Sequence, residues 1–126
     1  MDRFLTLLLV LPAFAIASPA MATDAASGAR VFKGQCAICH ATTDHAPSGI
    51  GPSLAGVVGR RAGSQTAFAA RYSPAMRAAG RVWSEAALRA YIANPAKAVP
   101  GNHMPYAGLH NPAQVDDVVA YLQTLR

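Results

Sequence analysis

Five consecutive residues, Cys36-Ala37-Ile38-Cys39-His40, place two thiols and an imidazole within reach of one another. Two cysteines separated by two residues and followed at once by histidine is the spacing of covalent c-type haem attachment. On a helical turn Cys36 and Cys39 lie three apart and share one face. From that face they can form thioethers to the two vinyl groups on one porphyrin edge, while His40 offers a ring nitrogen to the iron. A structural zinc site would need a second Cys/His pair, and the chain has no other cysteine. A thioredoxin-like dithiol would sit in a strand-helix context, which is absent here. The expected cofactor is therefore one haem c, attached through Cys36 and Cys39 and ligated by His40.

The other axial position has five candidates: Met76, Met104, His45, His103 and His110. Met76 reads as apolar filling inside a short helix, the commoner role of a lone methionine. Met104 stands in a rigid, non-helical loop, Pro100-Gly101-Asn102-His103-Met104-Pro105, which can carry a thioether to a fixed point. Met104 is the preferred ligand on residues alone, with a histidine or an open site as alternatives.

The surrounding elements must hold these groups in place. Asp24 is a suitable N-cap for a helix running toward the Cys/His motif. Ala25, Gly28, Phe32 and Cys36 recur at three- and four-residue intervals, so one face is apolar with a bare position at Gly28. A glycine there costs about 1 kcal/mol relative to Ala and implies a second backbone crossing close by. After His40 the chain turns loop-like through Asp44, Pro47, Ser48, Gly49, Gly51 and Pro52. The glycine-punctuated run Gly51 to Arg60 lacks the Gly-Lys-Ser/Thr ending of a phosphate loop and instead suits a chain passing close to a flat ligand.

Ser73-Pro74 through Gly80 predicts a short capped helix. Ser84 caps the next helix, with Leu88, Tyr91 and Ile92 as its buried stripe, and Asn94-Pro95 ends it. Ala96 to Gly108 reads as loop. Asn111-Pro112-Ala113-Gln114 opens a last helix whose apolar face is Val115, Val118, Val119, Leu122 and Leu125. Asp116 and Asp117 suit its N-terminal end and Arg126 its C-terminal end.

The first 22 residues read as a cleaved secretory signal: a short charged start, an apolar run from Phe4 to about Ile16, and Ala20-Met21-Ala22 as a small-x-small junction. The run is shorter than the ~20 residues of a spanning helix, and Pro12 interrupts it. Residues 23-126 then form one domain of about 100 residues, whose apolar core alone is marginal and gains from a flat apolar cofactor to pack on. The expected location is the periplasm. The formal charge is +5, unchanged when Asp2 and Arg3 leave with the signal. Ionised haem propionates lower it but leave a mildly positive field, which suits an acidic protein surface better than nucleic acid, to which an exported haem domain has little access.

At this point the chain resembles the class I cytochromes c, of the mitochondrial and bacterial cytochrome c2 type. The resemblance spans essentially the whole mature chain: Gly28-Ala29-Arg30-Val31-Phe32, Cys36 to His40, Gly51-Pro52 to Gly59-Arg60, Tyr72 to Met76, Trp83, Tyr91 to Pro95, Pro100 to Met104, and Ala120-Tyr121-Leu122. It implies an all-α fold of three to five helices around one covalently bound haem, with the N- and C-terminal helices crossing where Gly28 meets Tyr121. It implies Met104 as the distal ligand, a Pro52 carbonyl bonded to His40, and a Tyr91 hydroxyl reaching the Met104 sulfur. Arg60, Tyr72 and Trp83 would satisfy a buried propionate, and Asn102 stands where the family often has a propionate-binding threonine.

One departure bears on partners. Gln35, Ala96, His103 and His110 occupy places where relatives carry docking lysines, leaving Lys33 and Lys97, so the docking face is expected to be weakly charged. The resemblance implies a non-enzymatic, monomeric one-electron carrier. Its donor would be a membrane complex or dehydrogenase, its acceptor an oxidase, reductase or peroxidase, with only transient contact with a membrane surface. The rival readings are a dedicated electron-accepting subunit of a periplasmic dehydrogenase, and a haem peroxidase or small-gas binder.

Overall fold

Two helices far apart in sequence cross at a point that admits no side chain. The computed structural model describes residues 12–16, 22–44 and 49–126. In it, α1 (Ala25–Gln35) packs along α5 (Pro112–Leu122), the most extensive helix contact in the molecule. Gly28 lies at the crossing, where a Cβ would collide with the Asp117 carbonyl and press on Tyr121 Cβ. One turn further along α1, Phe32 meets Tyr121 with ring centroids 5.2 Å apart. The start of α1 is fixed to the same partner, because Asp24 N–H donates to Asp117 Oδ1 at 2.8 Å.

Each longer helix begins where a side chain can satisfy its free N–H groups. Asp24 Oδ1 accepts from Ala26 N–H, and Asn111 Oδ1 from both Ala113 and Gln114 N–H. Ser73 caps α2 (Pro74–Ala78) by accepting from Met76 N–H, and Ser84 caps α3 (Glu85–Ala93) by accepting from Ala87 N–H. Gly80 follows α2 at φ 64°, a left-handed turn that favours glycine.

The segment after α3 differs from the expected loop. Asn94 ends α3 with its backbone, yet its Oδ1 accepts from Lys97 N–H and opens a further short helix, α4 (Pro95–Ala98). Pro95 occupies the first turn, where a missing N–H costs nothing. A 3-10 helix at Thr66–Arg71 was also not anticipated. The last helix stops at Leu122, short of Arg126.

Among the described residues there are no strands, only one antiparallel bridge between Arg61 and Val82. No described helix is long and apolar enough to cross a membrane. The core runs from Phe32 through Trp83, Leu88 and Tyr91 to Val115, Val118, Val119 and Leu122, while Ile92 and Leu125 pack only partly buried against it. The fold is all-α. Most of the leader, including Ala20 and Met21, and also His45, Pro47 and Ser48, lie outside the described residues.

Candidate functional site

The Cys/His motif is a turn just beyond a helix, not a helical face. Cys36 caps α1 with its N–H on the Phe32 carbonyl, and its own carbonyl accepts from Cys39 and His40 N–H, both at 3.0 Å. The turn still brings Cys36, Cys39 and His40 to the wall of one cavity of about 550 Å³, within the range of small-molecule and cofactor sites. Cys36 and Cys39 form no disulfide, so both sulfurs can serve attachment. Before attachment, burial pushes the Cys36 thiol up, with Cys39 beside it adding to the shift, so the unattached thiol stays protonated at neutral pH.

His40 is held by backbone on two sides. Its Nδ1 lies 2.8 Å from the Pro52 carbonyl. A carbonyl can only accept, so Nδ1 carries the proton and Nε2 keeps its lone pair. Gly51 lies against the ring, where a Cβ would sit 2.5 Å from Cε1 and 2.8 Å from Nδ1. Burial lowers the His40 pKa below its ordinary 6.5, opposed by the Pro52 bond and assisted by the charge of Arg60. The imidazole is therefore neutral at neutral pH, the form that binds metals.

Met104 reaches the same cavity from the chain between α4 and α5, and its backbone is positioned by Asn102. Asn102 Oδ1 accepts from Met104 N–H at 2.8 Å, and both amide protons are committed, one to the Pro95 carbonyl at 3.0 Å and one to that of Val99 at 2.9 Å. In this arrangement both Asn102 amide protons are used by backbone, while the side chain still lines the cavity where a propionate role is expected for it. The Tyr91 hydroxyl is likewise directed to Asn102 Oδ1, at 3.4 Å, instead of to the Met104 sulfur. Burial pushes the Tyr91 pKa up to about 12, so that hydroxyl remains a donor.

Arg60, Tyr72 and Trp83 line another part of the wall. Backbone bonds between Gly59–Arg60 and Trp83 set two of them side by side. Arg60 donates from Nη1 to the Ala55 carbonyl and from Nη2 to the Ser53 carbonyl, both at 3.0 Å, while its buried Nε has no partner. The Tyr72 hydroxyl accepts from Gln65 N–H at 3.3 Å, which leaves its own proton available. Burial raises Tyr72 and lowers Arg60, but a guanidinium stays charged.

These groups fit a haem. A buried guanidinium N–H without an acceptor is unfavourable, and an ionised propionate is the kind of group that satisfies it. Two thiols, a neutral imidazole and a thioether are a donor set suited to covalent haem and its iron. Of the other candidate ligands, His103 borders the cavity while His110 lines a separate shallow depression with Arg89 and Asp116. Met76, taken as core filling, is buried and also lines the cavity. Tyr106 borders it too and had no part in the expected site; Gln35 also borders it and was noted only as standing where relatives carry a docking lysine. Their only sequence signal was a polar residue and an aromatic flanking the Cys36 and Met104 motifs.

Comparison with known proteins agrees with this geometry. The cytochrome c family model matches residues 25–126. The chain is 45% identical over 108 residues to cytochrome c2 of Rhodomicrobium vannielii, covering 86% of this chain and 84% of that one. It is 42% identical over 106 residues to cytochrome c2 of Blastochloris viridis, covering 84% and 81%. Among solved structures, cytochrome cH from Methylobacterium extorquens superposes with a TM-score of 0.72 at 40% identity, over 80% of this chain and 98% of that one. The chain belongs to the cytochrome c family and carries one haem c through Cys36 and Cys39.

Proposed function

We propose that the chain is exported, loses residues 1–22, and works in the periplasm as a monomeric one-electron carrier with its iron held between His40 and Met104. When bound, the haem supplies a one-electron ferric/ferrous couple, and methionine opposite histidine raises its potential. The protein's own residues do the positioning. Pro52 and Gly51 fix the His40 ring so that Nε2 is the free nitrogen. Asn102 fixes the backbone of Met104 through its N–H. Arg60 brings a buried positive charge and an unshared N–H toward an inner propionate, with Tyr72 and Trp83 on the same wall. With both axial positions supplied by the chain, substrate is excluded and the chain acts as carrier, not catalyst.

The observation that carries this reading is the single cavity lined by Cys36, Cys39 and His40 together with Met104. Its mouth also suits brief contact with another redox protein. Ile38 is 82% and Ile50 60% exposed, and both line the cavity. Exposed Gln35 and His103 are beside them, so the docking face is apolar and weakly charged. Such a contact is small and short-lived, as a shuttle requires. The test is a redox titration of the holoprotein and of Met104→Ala. The variant should show a lower potential and an iron open to exogenous imidazole. An unchanged potential would remove Met104 from the iron.

A further inference from the structure

Residues 100–108 run along the cavity between two anchorages of unequal strength. On the α3–α4 side they are held many times over. Asn102 bonds to the Pro95 and Val99 carbonyls, and Leu109 N–H donates to the Ile92 carbonyl at 2.9 Å. At Gly108 a Cβ would collide with the Ala93 carbonyl, so the two backbones touch. On the α1 side, one hydrogen bond does the holding. The Tyr106 hydroxyl donates to Gln35 Oε1 at 2.8 Å, joining positions 71 apart in sequence. Among the described residues it is the only hydrogen bond from residues 100–108 to α1 or to the Cys36–His40 turn.

Both ends of that bond lie next to groups that matter. Gln35 is the last residue of α1 and precedes Cys36. Tyr106 N–H donates to the Met104 carbonyl at 2.9 Å, so its backbone moves with Met104. Its ring packs against the core and, with Gln35, borders the cavity. Swinging Met104 outward therefore means breaking the Tyr106–Gln35 bond, whereas the contacts to α3 and α4 can persist as a hinge. We propose that this bond is a latch across the cavity mouth that sets how long Met104 stays on the iron, with Tyr106 and Gln35 as positioning residues. The inference rests on Met104 as the sixth ligand. The bond joins a phenol to a primary amide, so the latch is a neutral hydrogen bond and not an ion pair.

The test uses the ferric holoprotein and imidazole as probe. At saturating imidazole the exchange rate levels off at the rate with which Met104 leaves. Tyr106→Phe keeps the ring and removes the hydroxyl, and Gln35→Leu keeps an uncharged side chain and removes the acceptor. Each should raise the limiting rate about 2- to 10-fold, the range for a neutral, partly exposed hydrogen bond. The double variant should be no faster than either single one, because both remove the same bond. Limiting rates equal to wild type, or effects that multiply in the double variant, would overturn the latch. The far-red methionine–iron charge-transfer band separates the two levels of inference. If it is present in the wild type while the rates do not move, the latch alone fails. Its absence from the wild type overturns the latch together with Met104 ligation.

Discussion

The two walls of the haem cavity, one carrying His40 and one carrying Met104, are built in different ways. On the His40 side the important contacts come from backbone: the Pro52 carbonyl on Nδ1, the Gly51 Cα against the ring, and the Cys36 carbonyl under the turn. On the Met104 side they come from side chains, with one amide, that of Asn102, serving four partners, and one phenol, that of Tyr106, reaching across to α1. A backbone contact survives most substitutions and is lost only when a side chain intrudes. A side-chain contact is lost whenever its owner changes. The proximal wall is therefore robust to replacement and sensitive to bulk, and the distal wall is the reverse.

Asn102→Ala is the harshest test of that contrast. It leaves the Met104 N–H without its acceptor and takes one of the two bonds from each of the Pro95 and Val99 carbonyls, which keep the Val99 and residue-102 N–H donors, and should destabilise the distal wall by about 2–4 kcal/mol. Denaturant titration should show loss of the methionine–iron band well before loss of helix; coincident transitions would mean that the walls do not separate. Gly51→Ala should cost about 1–3 kcal/mol through overpacking against His40. It should disturb the His40 ring, read by resonance spectroscopy of the iron–histidine bond, while Met104 kinetics stay near wild type. Pro52→Ala should cost less than about 1 kcal/mol, since the carbonyl that holds His40 is retained. A large effect on His40 would show that the proline ring, not its carbonyl, does the holding.

The proximal wall was largely legible in the sequence because Cys36, Cys39 and His40 write their chemistry in residue types at fixed spacing, while the Pro52 carbonyl on His40 came only with the family resemblance. The helices were legible for a similar reason: Asp24, Ser73, Ser84 and Asn111 announce starts that their side chains do cap. The distal wall was less so. Whether the Asn102 amide meets a propionate or a carbonyl depends on where Pro95 and Val99 point, and that follows from α4, itself hidden because Asn94 both ends one helix and starts another. The 3-10 stretch Thr66–Arg71 is too short to show a period and leans on the Tyr72 hydroxyl at its cap, Gln65. Pairing Tyr106 with Gln35 requires the whole chain to close first.

The crossing at Gly28 orders the events of folding. The surface that α1 must cover belongs to α5, an eleven-residue helix at the far end of the chain. The contact that completes the core joins positions as far as 93 apart in sequence, so closing it carries a long-loop entropy cost and belongs late in folding. Until the terminal helices meet, the turn that follows α1 is uncovered on that side, and the thiols of Cys36 and Cys39 stay reachable by whatever must act on them.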